Sequence, residues 1–237
     1  MSYNNYQLHL FINQIDDYEP ELNKIIKYYT KTYTIETNIE LKERVNKWCN
    51  TTQQCKEDKG HISYWDVSKI TDMNALFFRN HYYNDDISRW DVSNVTNMND
   101  MFLNVYYFNQ PLNSWDVSNV KSMNSMFLNA TTFNQSLNLW DTSNVKDMSY
   151  MFCDAISFNQ PLNSWHTSNV TIMKDMFQNA ISFNQPLNLW DISNVTIMQN
   201  IFNYNYKENQ IETFNHFYNY FINSVHYNKL LFNFDCK

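Results

Sequence analysis

Five aspartates and one histidine stand at a fixed interval of 25 residues: Asp66, Asp91, Asp116, Asp141, His166 and Asp191. A row of carboxylates can do three kinds of chemistry. It can hold hard divalent cations between rungs, flank a scissile bond as acid and base, or accept hydrogen bonds in tight turns. A good cation site converges about six or more oxygens, and one carboxylate per unit falls short of that. Glycoside hydrolysis needs two carboxyl groups about 5 to 9 Å apart in a cleft. Neighbouring units could meet that spacing, but repetition on an open face singles out no acid and no base. The expected role is therefore structural, with Asp116 accepting from Ser118 or from turn amides. His166 has no cysteine or second histidine at ligand spacing, so no metal site is expected there.

A second polar row is Asn84, Asn109, Asn134, Asn159 and Asn184, each followed by Gln or, in the first unit, by Asp85. Unpaired buried polar groups are costly, so an internal ladder bonded to turn backbone is the expectation. Other outward positions change from unit to unit. Asn99 and Asp100 become Ser149 and Tyr150, Leu103 becomes Gln178, and Arg89 becomes Leu139 and Leu189. A partner-specific surface is expected at such positions, because the Asp and Ser positions hardly vary.

Catalytic and cofactor motifs are scarce. Glycine occurs once, at Gly60, whereas dinucleotide fingerprints, phosphate loops and nucleophile elbows need several. Asparagine, with 38 copies, takes over the turn role because its short polar side chain tolerates left-handed and capping conformations. Cys49, Cys55, Cys153 and Cys236 share no metal-site spacing and read as unpaired thiols of a reducing compartment. No cofactor is expected. The net charge of -7 and the lack of a Lys/Arg stripe argue against nucleic acid and anionic membranes as partners. No apolar run approaches the length of a membrane span, so no membrane insertion is expected. The first residues, Met1-Ser2-Tyr3-Asn4-Asn5, show no secretion signal, which makes an intracellular location the expectation: host cytoplasm, or the virion if the protein is viral.

The elements that must position these rows are read from the tryptophans. Trp65, Trp90, Trp115, Trp140, Trp165 and Trp190 mark six units of 25 residues, with Trp48 outside them. Within a unit, Leu112, Trp115 and Val117 end in an alternating segment that predicts a short strand. Val120, Met123, Met126, Phe127 and Ala130 follow at spacings of three and four, which predicts a helical turn or two. One unit cannot bury its own apolar ring; stacking the units, Trp over Trp, builds a continuous core. The outer units are degenerate, as caps require. The resulting division is a mainly helical N-terminal cap (1–60), a six-coil solenoid (61–202) and an aromatic-rich helical C-terminal cap (203–237). Residues 38–49 are expected to form a helix whose apolar side carries Ile39, Leu41, Val45 and Trp48. Further helical pieces are expected at Leu8 to Ile15, at Leu22 to Tyr29 and within 207–232.

The segment Trp-Asp-Val-Ser-Asn-Val-Thr, then Met, Met-Phe, Ala and Phe-Asn-Gln-Pro-Leu, resembles the 25-residue repeat of BspA-like leucine-rich-repeat surface proteins. The same repeat occurs in mycoplasma lipoproteins. The resemblance covers about residues 61 to 202. The stretch Leu41 to Trp65, with Val45, Trp48, Cys49, Gly60, His61 and Ile62, also resembles the lead-in of versions from protists and large DNA viruses. It implies an α/β fold: a right-handed, leucine-rich-repeat-like solenoid of short parallel strands and short helices with helical caps. On function, the residues point to a non-enzymatic interaction or scaffold module with a protein partner. The resemblance offers a surface or virion adhesin as the alternative, and an enzyme using paired Asp residues is the remote one. Oligomeric state is left open.

Overall fold

The structure, a computed structural model, describes residues 32–50 and 60–202. Cys55, Cys236, the helical pieces expected before residue 32 and the C-terminal cap expected after 202 lie outside the described residues.

The chain enters through strand β1 (Tyr33–Thr34) and helix α1 (Asn38–Asn50). A reciprocal cap starts the helix: the Glu40 amide donates to Thr37 Oγ1 at 3.1 Å, and the Glu36 amide donates to Glu40 Oε2 at 2.9 Å. Leu41, Val45 and Trp48, spaced by four and three, form its buried side. Ile39, expected on that side, is 71% exposed. It lies two residues before Leu41, about 200° round the helix from it. A 3-10 turn at Ile62–Tyr64 leads into β2 (Trp65–Asp66), which pairs in parallel with β1, Tyr33 opposite Trp65.

From here each 25-residue unit lies hydrogen-bonded against the next. Parallel bridges run Asp72–Asn97–Ser122–Asp147–Ile172–Ile197, one residue from each unit. The predicted helix over Val120 to Ala130 is not formed. Alternate amides leave the unit: Met123, Ser125, Phe127 and Asn129 donate to the carbonyls of Asp147, Ser149, Met151 and Cys153 at 2.7–3.0 Å. The amides between them close tight turns inside the unit, Met126 to Met123, Leu128 to Ser125 and Ala130 to Phe127. A helix would direct every amide back along its own axis. Two left-handed residues per unit prevent this, Ser125 (φ 54°) and Asn129 (φ 61°), and the other units repeat them. The apolar spacing of three and four is therefore that of successive turns.

The strand expected at Trp115–Val117 is also absent. Trp115 turns back on Leu112, and Val120 on Val117. Across this stretch the units are stitched by side chains. From the second unit on, each indole donates to a carbonyl 28 residues earlier: Trp90 to Ile62, Trp115 to Ile87, Trp140 to Leu112, Trp165 to Leu137 and Trp190 to Leu162, at 2.8–3.2 Å. Inside, one hydrophobic core runs unbroken from Ile35 and α1 to Ile201. Phe102, Phe127, Phe152 and Phe177 stack at 5.4–5.6 Å between ring centres, and each touches the second phenylalanine of its own unit at 4.0–4.2 Å.

Candidate functional site

The aspartate row is built from turns. Asp66, Asp91, Asp116, Asp141 and Asp191 each accept from the backbone N–H two residues on, at Ser68, Ser93, Ser118, Ser143 and Ser193, at 2.9–3.1 Å. Each side chain thereby mimics a backbone turn. Hydrogen bonds from the Ser143 amide and hydroxyl hold Asp141 below the usual carboxylate range, with the imidazole of His166 adding to the effect. Asp191 is lowered by the Ser193 amide and hydroxyl, and Asp66 by the Ser68 hydroxyl and amide. His166 Nδ1 stands 3.8 Å from Asp141 Oδ1, with both side chains exposed. The row is thus a set of solvated turn acceptors. Among the described residues, no three His, Cys, Asp or Glu converge as metal ligands.

The second row bonds from unit to unit. The amides of Asn109, Asn134, Asn159 and Asn184 each donate to Oδ1 of the asparagine 25 residues earlier, all at 2.9 Å. The neighbouring Gln135, Gln160 and Gln185 donate through Nε2 to the same oxygens. These asparagines are half-buried or exposed rather than internal. Their ladder lies on the rim, where the chain turns between the Phe column and the Leu column.

A third ladder went unread in the sequence. Asn94, Asn119, Asn144, Asn169 and Asn194 donate through Nδ2 to the carbonyls of Ser68, Ser93, Ser118, Ser143 and Ser168 at 2.7–2.8 Å. Its signal is the Ser-Asn pair that the second to sixth units share. Together with the indoles, these amides do the work of a missing backbone ladder.

The expected variable positions divide: Ser149 is buried, as are Ser125 and Asp175 in the column of Asp100, because these side chains sit where the units bond to one another, while the positions before the tryptophans face outward. Leu139 and Leu189 are 72% and 70% exposed. A second variable pair of columns was not singled out: His81, Tyr106, Thr131, Ile156 and Ile181, beside Tyr82, Tyr107, Thr132, Ser157 and Ser182. In the first two units these columns are aromatic and paired. His81 stacks on Tyr106 at 4.5 Å, and Tyr82 on Tyr107 at 5.4 Å. The one cysteine inside the repeats, Cys153, is buried, and burial pushes its thiol up to about 12, aided by Asp154. It is unsuited to nucleophilic chemistry at neutral pH.

This geometry is that of a repeat protein, in which each unit sets equivalent residues at equivalent places against its neighbours. The chain belongs to the family described as mycoplasma protein of unknown function, DUF285, which matches residues 45–143 and again 123–217. The second match runs past 202, where Asn209-Gln210 stand 25 residues after Asn184-Gln185. No curated protein and no solved structure matches the chain.

Proposed function

We propose that this protein is a non-enzymatic interaction or scaffold module. In this proposal the units form a right-handed, leucine-rich-repeat-like solenoid of the kind found in BspA-like proteins. Parallel bridges in a 25-residue register support it, since parallel connections within one sheet are overwhelmingly right-handed.

One observation carries the functional reading. The residues with chemistry to offer are repeated and committed to holding the stack, while exposed and half-buried side chains such as those at 81, 82 and 89 change along it. A catalytic site needs a unique constellation, and the aspartates form five equivalent turns. A recognition surface needs the reverse, a rigid frame with side chains that differ along it. Cross-linking under native conditions tests this: the expected result is a protein partner whose capture saturates with concentration. Recovery of no saturable partner, or loss of a measured turnover on changing one Asp but not its neighbours, would overturn it. Small-angle scattering from an elongated particle is expected for the solenoid, and a spherical particle contradicts it.

A further inference from the structure

We infer that the aromatic face of the first two units, formed by Phe78, Arg79, His81, Tyr82, Tyr106 and Tyr107, docks an acidic peptide segment of a partner protein. The inference rests on the interaction-module reading and adds the place and the chemistry.

The side chains suit a protein contact. Interface centres are enriched in aromatic residues and arginine and depleted of Lys, Asp and Glu. Leu76 to Tyr83 and Met101 to Phe108 together carry Arg79 and His81 and contain no Lys, Asp or Glu. Tyr82 is 82% exposed, Tyr107 54% and Phe78 38%. Large aromatic groups so far in water gain most from being covered.

They are also already ordered. The two ring pairs stack across the units, 7° and 17° from parallel. The Arg79 guanidinium lies 4.8 Å from the centre of the Phe78 ring. His81 Nδ1 is 2.7 Å from the Asn104 carbonyl, which can only accept, so this nitrogen carries a proton and the ring orientation is set. Side chains held before binding lose little entropy on binding.

Charge selects the partner. The chain carries -7, yet this face has a guanidinium with no ion pair among the described residues. A basic partner would be drawn to the aspartate row instead. An acidic segment finds here a cation beside exposed rings, and nowhere along the same columns in later units. There the residues are Thr131 and Thr132, then Ile156 and Ser157, and Asp154 takes the place of Arg79.

Selection of a random-peptide display library on the full chain tests the inference. Binders are then measured on wild type, Tyr82→Ala, Arg79→Glu and, as a control on another face, Asp141→Asn. The expected peptides carry Asp or Glu next to an aromatic or aliphatic residue. Their affinity should fall about tenfold or more in the first two variants and hold in the control. Basic or uncharged binders, no binders, or binding indifferent to Arg79→Glu would overturn it. The affected side chains are exposed, and thermal melts matching wild type exclude unfolding as the cause. A native partner cross-linked to a different face would end this inference while leaving the interaction module standing.

Discussion

Tyr83 stands where the later units carry Phe108, Phe133, Phe158 and Phe183, and its hydroxyl is buried with no hydrogen-bond partner. The ring keeps the stack, 4.1 Å from Phe77 and 6.0 Å from Phe108. A buried donor left unmade costs about 1 to 3 kcal/mol. Tyr83→Phe removes that cost and keeps the ring, so it should stabilise the protein by about 1 kcal/mol in denaturant melts. A loss of stability would show that the hydroxyl is satisfied. Asp141 makes the opposite case, a polar group fully used. Its folded pKa is depressed by the Ser143 amide and hydroxyl, so its contribution is fully present above the ordinary value of 3.8 and is lost as pH falls through the folded one. Stability measured down an acid titration should decline in that window, and Asp141→Asn should flatten part of the decline. At neutral pH the same change should cost at most about 1 kcal/mol, because asparagine can still accept from the Ser143 amide. The row itself was legible from its spacing, since six positions 25 residues apart admit no accident. What it bonds to could be named only as a choice between hydroxyl and turn amides. The Tyr83 hydroxyl gave no signal beyond a departure from the repeat.

Both element-level misreadings have the same physical origin. Spacings of three and four at Val120, Met123, Met126, Phe127 and Ala130 describe which side chains face inward, and a helix and a run of tight turns satisfy them equally. The difference lies in where the amides go, and periodicity carries no information on that. One sequence clue did exist: after Arg79 in the first unit, Asn104, Asn129, Asp154 and Asn179 fill the second left-handed position, and Asn and Asp tolerate that conformation best after glycine. The first left-handed position is chemically mixed, with Ala75, Asp100, Ser125, Tyr150, Asp175 and Asn200. It therefore stayed hidden. Mixed occupancy implies strain at the residues least suited to it. Ala75, at φ 54°, has no polar side chain to offset the clash between its Cβ and the backbone. Ala75→Gly should raise stability by about 1 kcal/mol, whereas glycine in a helix interior would lower it by a similar amount. The sign of that one measurement separates turns from helix. Along the tryptophan stretch the strand was misread because alternation can also arise in a turn-rich segment held by indole and asparagine amides.

At the scale of the whole molecule, units that touch only their neighbours make stability an accumulation of interfaces. The tryptophans show how unequal those interfaces are. Trp165 lies parallel to Trp140 and to Trp190, 6.2 Å from each. The indole of Trp140 also donates to Leu112 at 2.9 Å, tying its unit to the one before. Trp65, at the start of the array, packs edge-on against Trp48 of α1, and its indole reaches only Gly60, five residues back, at 3.4 Å. Removing a large buried aromatic side chain costs about 3 to 5 kcal/mol. At Trp140 the loss strikes two interfaces and leaves the Leu112 carbonyl with the Trp115 amide alone, while at Trp65 it loosens the seat of α1. Trp140→Ala should therefore destabilise more than Trp65→Ala, and its unfolding transition should broaden or divide as the two halves of the stack lose their coupling. Trp140→Phe keeps a ring in the stack while removing the indole donor and part of the side-chain volume, so it should cost less than Trp140→Ala, about 1 to 3 kcal/mol. Denaturant melts of the three variants decide it: an equal effect of Trp65→Ala and Trp140→Ala would mean that stability does not pass from unit to unit in this chain.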